Sequence, residues 1–171
     1  MSKMVDEYYN TIAASYDRLH GEEQDKKLKD LLLHVELRQN ITLLDVGCGT
    51  GRSKRLLDLY DIQWHGVEPS EGLIHQAPQD AQHRIKRAAA EHIPFPDASF
   101  DVILSLTAIQ NFDDVQKSFK EMKRVTKKGG LFLLSFLKKS PRTKDLEQQI
   151  RAIFTVKESW EQEKDILFVC E

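Results

Sequence analysis

Leu43-Leu44-Asp45-Val46-Gly47-Cys48-Gly49-Thr50-Gly51 turns a buried strand directly into a glycine-rich loop. Ile41, Leu43, Leu44 and Val46 form a short apolar run that reads as a buried strand. Gly47, Gly49 and Gly51 permit backbone angles and close approaches that a side chain would block. Arg52 to Tyr60 follow with helical character. A strand, a glycine turn and a helix start leave a place where a ligand can lie against bare backbone. Asp45, at the end of the strand, can fix the loop or reach a charged group of that ligand.

Around this core the chain alternates strand and helix. Residues 22–38 read as an amphipathic helix with Leu28, Leu31, Leu32 and Val35 on its apolar face. Strands are predicted at 41–46, 63–68, 84–88, 100–105 and 130–137. Helices are predicted at 51–60, 70–77 and 113–125, the last with Val115, Phe119, Met122 and Val125 at helical spacing. Gly129-Gly130 is expected to end that helix and start the next strand. Lys144 to Ile153 can form another helix, and 154–161 and 165–170 can pair as an antiparallel hairpin. This order predicts an α/β, doubly wound, mostly parallel sheet.

Composition narrows the class. A chain of 171 residues supports one core, so a single domain over 1–171 is expected. The net charge of −2 gives no global attraction to nucleic acid or anionic membrane, so only local basic clusters can argue for such partners. Cys48 and Cys170 show neither metal-ligand nor redox spacing. The charged start of the chain lacks a signal-peptide core, and no run reaches transmembrane length. A cytoplasmic protein without a bound metal is expected.

The motifs extend beyond the first loop. Gly47, Gly49 and Gly51 make G-x-G-x-G, but Arg52 stands where a nicotinamide-dinucleotide fingerprint requires glycine. Glu68 ends the strand 63–68, 23 residues after Asp45, near the ~20-residue distance at which a carboxylate meets ribose hydroxyls. Pro69-Ser70 then leads into a helix. Ala89-Ala90-Glu91-His92-Ile93-Pro94-Phe95-Pro96-Asp97-Ala98-Ser99-Phe100-Asp101 precedes the central strand, and Ser105-Leu106-Thr107-Ala108-Ile109-Gln110-Asn111-Phe112 follows it. Near the start stands Tyr8-Tyr9-Asn10-Thr11-Ile12-Ala13-Ala14-Ser15-Tyr16-Asp17.

In this order, over residues 8–136, these segments resemble the signatures of the class I S-adenosylmethionine (SAM) methyltransferases. The resemblance implies a Rossmann-like, seven-stranded sheet whose last strand is antiparallel. It also implies an N-terminal helical lid over 1–20, a core over 21–171, and SAM as cofactor. Carried onto this chain, the implied cofactor contacts are Tyr16, Asp45, Gly47, Cys48, Gly49, Gly51, Glu68, Pro69, Ala90, Glu91, Ile93, Ser105 and Leu106. Many family members carry aspartate where Ala89 stands, so adenine recognition here would rest on backbone groups or on Glu91.

The acceptor is less legible. The N-P-P-[YF] motif of enzymes acting on exocyclic amines is replaced by Ser-Leu-Thr-Ala. Thr107, Gln110 and Asn111, with Tyr8 and Tyr9 of the lid, are the candidates for acceptor positioning. No catalytic base stands out: the histidines show no paired spacing, and His92 is expected to face the cofactor. Family members acting on small molecules commonly add helices to close a pocket, and few residues are spare here. An open site is therefore expected, serving RNA or protein, or completed by a partner subunit. Lys138, Lys139, Arg142 and Lys144 follow the strand 130–137 and could meet phosphates. Glu158, Glu161, Glu163 and Asp165 receive no functional role. A small-molecule methyltransferase and a non-catalytic SAM-binding subunit remain open alternatives; a dehydrogenase is disfavoured by Arg52.

Overall fold

The apolar run at 41–46 becomes β1 (Thr42–Val46), an inner strand of the computed structural model, which describes residues 21–171. Helical residues 21–33 (α1) precede it. It is followed by α2 (Ser53–Leu57), β2 (Gln63–Glu68), α3 (Glu71–Gln76), α4 (Gln79–Gln82) and β3 (Ile85–Arg87). The second half holds β4 (Phe100–Ser105), α5 (Val115–Val125), β5 (Thr126–Leu137), α6 (Thr143–Ile153), β6 (Val156–Gln162) and β7 (Asp165–Cys170).

The strands form one seven-stranded sheet in the order β3-β2-β1-β4-β5-β7-β6. The first five are parallel to one another, and β7 is antiparallel to both β5 and β6. The chain builds outward from β1 through β2 to β3, then crosses to β4 on the other side. That reversal opens a crevice beyond the carboxyl ends of β1 and β4. Period-2 alternation divides the core. Leu44, Val46, Ile103, Phe132 and Leu134 face α5 and α6, whereas Leu43, Val102, Leu104 and Leu133 face α1 and α2.

Two boundaries differ from expectation for local reasons. Helix α1 ends at residue 33 instead of 38, and His34 leaves it to stack on Trp160 at 4.1 Å and to bond Glu158 at 2.7 Å. Gly129-Gly130 does not end α5: the helix stops at Val125, and β5 starts immediately at Thr126. The glycines instead lie inside β5 at a bulge, where the pairing with β4 jumps from Phe100–Thr126 to Val102–Leu131. The short α4 and the 3₁₀ turn Ile109–Asn111 went unpredicted because so few residues carry no periodic signal.

The acidic residues of the β6–β7 hairpin do have a structural role. Glu158 meets His34 and Glu163 meets Lys26 at 2.8 Å, tying the hairpin to α1 and its end. Asp165 is fully buried and pairs with the equally buried Lys27, so it does not belong to a solvated acidic cluster. Among the described residues no helix is long and apolar enough to cross a membrane.

Candidate cofactor site

The crevice at the carboxyl ends of β1, β2, β3 and β4 is divided into two lobes by Gly47, Gly49 and Leu106, which line both. The turn after β1 makes this possible. Gly47 has φ +76° and lies so close to the loop after β4 that a Cβ there would stand 2.6 Å from the Ala108 Cβ. Backbone is therefore presented where any side chain would close the gap. The amides of Gly47 and Cys48 both donate to the Val67 carbonyl, at 2.9 and 3.1 Å, anchoring the loop to β2.

The first lobe is walled by Leu73, Ala88, Ala90 and Phe112, with Pro69 and Ala89 beside them. Two carboxylates, Glu68 and Glu91, are buried here, and Glu68 stands at the glycine loop. Its Oε2 accepts from the Gly49 amide at 2.9 Å and its Oε1 from the Ser70 amide at 2.9 Å. Two backbone donors hold the carboxylate in one orientation, at the junction of the glycine loop and the entry to α3. Glu91 also lines this lobe, but its Oε1 accepts from the amides of Asp113 and Asp114, at 2.9 and 3.1 Å, and so secures the start of α5.

The second lobe is bounded by Asp45, Cys48, Thr50 and Ser53 on one side, and by α1 on the other. Asp45 is buried and accepts a short hydrogen bond from the Ser53 hydroxyl, which itself accepts from Trp64 Nε1 at 3.0 Å. Burial pushes the Asp45 carboxyl up to about 6 from the usual 3.8, the Ser53 and Trp64 contacts opposing this only in part. Burial, with Asp45 and Glu68 nearby, also pushes the Cys48 thiol well up, so it is a neutral wall group. Helix α1 contributes Gly21, Gln24, Asp25 and Leu28. Asp25 grips Arg52 through paired bonds of 2.9 and 2.8 Å, closing the outer edge. Gln24 Oε1 is buried without a hydrogen-bond partner among the described residues.

Asp45 carries a stability consequence. Its carboxyl is neutral more readily in the fold than in the unfolded chain, so its favourable contribution is complete below pH 3.8 and lost as pH rises through about 6. Asp45→Asn is expected to stabilise the protein at pH 7.5 by ~1–3 kcal/mol and to make no difference near pH 4. Urea denaturation at the two pH values checks this; equal stability of the two proteins at pH 7.5 would contradict it.

The expected cofactor contacts divide clearly. Asp45, Gly47, Cys48, Gly49, Glu68, Pro69, Ala90, Glu91 and Leu106 line one lobe or both. Gly51, Ile93 and Ser105 line neither. Gly51 (φ +71°) packs under the loop against Trp64 and Ala81. Ile93 is in the core, and the Ser105 hydroxyl donates to the Val46 carbonyl at 2.9 Å, joining β4 to β1 behind the cavity. His92 does not face the cavity; it is exposed and meets Lys117 Nζ at 2.8 Å. Thr107 and Asn111 line the first lobe, whereas Gln110 lies beyond it in an adjoining groove. The Thr107 hydroxyl is committed to Lys27, at 2.8 Å, and Asp165, at 3.3 Å. Tyr8, Tyr9 and Tyr16 lie outside the described residues. The α1 wall was missed because Arg52 and Asp25 lie 27 residues apart in sequence, with no local motif between them. Among the described residues no cluster of side chains is arranged to hold a metal ion.

The methyltransferase domain family matches residues 44–134, over half of the chain, and the fold and crevice agree with that match. The chain belongs to the class I SAM-dependent methyltransferases, whose cofactor is SAM. It is 32% identical to the uncharacterized methyltransferase YcgJ of Bacillus subtilis, across 69% of this chain and 48% of that protein. It is 29% identical to the sterol 4-C-methyltransferase strm-1 of Caenorhabditis elegans, across 90% of this chain and 50% of that protein. The chain thus spans about half the length of these curated relatives. A chain from the complex between the Haloferax volcanii Trm112 methyltransferase activator and its proposed methyltransferase superposes with a TM-score of 0.79. That match covers 95% of this chain and 96% of the other at 16% identity, a likeness of fold.

Proposed function

We propose that this chain transfers the methyl group of SAM to a macromolecular acceptor, RNA or protein, presented at the open mouth of the two-lobed cavity. The observation that carries this reading is a buried carboxylate on either side of the bare Gly47–Gly49 backbone, Glu68 in the first lobe and Asp45 in the second. Glu68 is fixed for accepting from paired ribose hydroxyls, and the alanines with Leu73 offer an apolar slot for a flat ring. In the second lobe, Asp45 and Gln24 Oε1, which has no partner among the described residues, would accept from the ammonium of the methionine moiety. Bound SAM supplies a methyl on a sulfonium: the acceptor's lone pair forms the new bond to carbon as the S–C bond breaks, leaving a neutral thioether.

The chain's own contribution is alignment and exclusion of water, which can supply ~7–11 kcal/mol. Among the described residues no histidine lines either lobe. Asn111, at the mouth, is the candidate for holding the acceptor, with Gln110 just outside. Thr107 lines the first lobe, but its hydroxyl, amide and carbonyl are all engaged within the fold. Residues 21–171 act in this reading as one cytoplasmic catalytic core. The Haloferax match favours a second reading, in which an activating subunit completes the site.

Calorimetric titration with SAM tests the cofactor assignment. Micromolar affinity at pH 7.5 is expected, falling about tenfold at pH 5 as Asp45, titrating about pH 6, gains its proton. Absence of binding to the full chain at either pH would overturn the assignment.

A further inference from the structure

Asn111 belongs to two depressions: the first lobe of the cofactor cavity and a wider groove beyond it. The groove is bounded by Gln110 and Asn111, by residues 137–142 after β5, and by Glu163 and Lys164 at the β6–β7 turn. It holds about 1040 Å³ of space open to solvent, against about 530 Å³ for the first lobe.

Four cations line it, Lys138, Lys139, Arg142 and Lys164, against the single carboxylate of Glu163. Arg142 is fixed: its Nη1 donates to the Phe112 carbonyl at 2.6 Å and to the Gln110 carbonyl at 3.2 Å. Glu163 is already paired with Lys26. Lys138 and Lys164 pair with Glu161 at 3.1 Å and Glu23 at 2.7 Å. Such exposed pairs contribute little and can exchange partners. Lys139 is exposed and has no carboxylate partner among the described residues. On the floor, Gln110 Nε2 donates to the Thr107 carbonyl at 2.6 Å, while Gln110 Oε1 is buried without a partner among the described residues. The groove therefore combines cations along its walls with a bare acceptor beside the mouth of the cofactor cavity.

Resting on the methyl-donor reading of that cavity, we propose that this groove binds a single-stranded polynucleotide acceptor. Its phosphates lie along Lys138, Lys139, Arg142 and Lys164, and Gln110 Oε1 receives an N–H from a base lying beside Asn111. Cations spread along an open groove suit a backbone with a charge at every residue. A single anionic group would be met by cations converging on one point. The whole chain carries a net charge of −2, so the attraction is local to this groove.

The test is fluorescence anisotropy with a labelled single-stranded RNA of about 12 nucleotides, titrated between ~50 and ~200 mM salt. Three or four phosphate contacts give a log–log salt slope of about −2 to −3. Lys138→Gln with Lys139→Gln is expected to reduce that slope by about 1.4 and to weaken binding about tenfold at low salt. Thermal stability and SAM affinity should stay unchanged, and Lys139→Gln alone should lie between. Absence of RNA binding by protein that binds SAM would overturn the proposal, as would binding indifferent to salt or to these substitutions. An acidic peptide bound as tightly as the RNA would also overturn it, in favour of a protein acceptor. RNA binding with no SAM binding would support the groove and reject the methyl-donor reading.

Discussion

Lys27→Met is expected to lower the stability of this protein by ~3–5 kcal/mol, the range for stranding a buried carboxylate by removing its partner. Lys27 is only 2% exposed and Asp165 is fully buried. The Lys27 ammonium contacts Asp165, Glu23 at 2.9 Å and the Thr107 hydroxyl at 2.8 Å. Desolvating both charges is costly, so the pair contributes little beyond an apolar replacement; breaking it from one side is what destabilises. The double variant Lys27→Met, Asp165→Leu should therefore recover most of the loss, which urea denaturation of the three proteins would measure. A loss below ~1 kcal/mol in the single variant would mean that the Asp165 charge is relieved in some other way. The network also holds Thr107, a β-branched residue at φ +52°, where such side chains are rare. Its amide donates to the Ser135 carbonyl at 3.0 Å and the Ser135 hydroxyl at 2.9 Å. Leu106, which lines both lobes, is the residue before it, so the ion pair also supports the floor of the cofactor site.

Glu68→Ala is expected to weaken SAM binding by ~10- to 100-fold, the scale of one or two charge-assisted hydrogen bonds. Glu68→Gln should restore little. Both carboxylate oxygens accept from backbone amides, of Gly49 and of Ser70. A glutamine offers one oxygen to one of them and turns its own N–H groups toward the other, leaving donor facing donor. Calorimetry on the two variants, with thermal melts to show that both fold, would measure this. A glutamine variant with wild-type affinity would show that the negative charge and the second acceptor are dispensable.

The strand-and-helix order was readable because it rests on local patterns. Continuous apolar runs in β1, β4 and the second half of β5, and helical spacing in α5, survive whatever the rest of the chain does. The glycine loop and Glu68 were readable for a related reason. The turn after β1 needs positive φ at Gly47, Gly49 and Gly51, and a carboxylate ending the next parallel strand falls beside that turn. The core positions of Ile93 and Ser105 were not readable, because neighbours in sequence along a loop or at a strand end alternate between cavity and core, and sequence alone does not say which residue starts the alternation. The packing of Gly51 against Trp64 and Ala81 was hidden for another reason, since a glycine required by packing looks the same as one required by a ligand.

By itself, then, the sequence determined the parallel sheet, the crossover at β1, the glycine turn and the carboxylate at its side, because each follows from backbone sterics and short-range periodicity. Only the tertiary structure decided that α1 forms a wall of the second lobe and that Arg52 is held by Asp25. It alone buried Lys27 against Asp165 and placed Gln110 in a basic groove beyond the cavity. These depend on residues distant in the chain meeting across the sheet, and the burial that gives such contacts their energy exists only once the layers have packed.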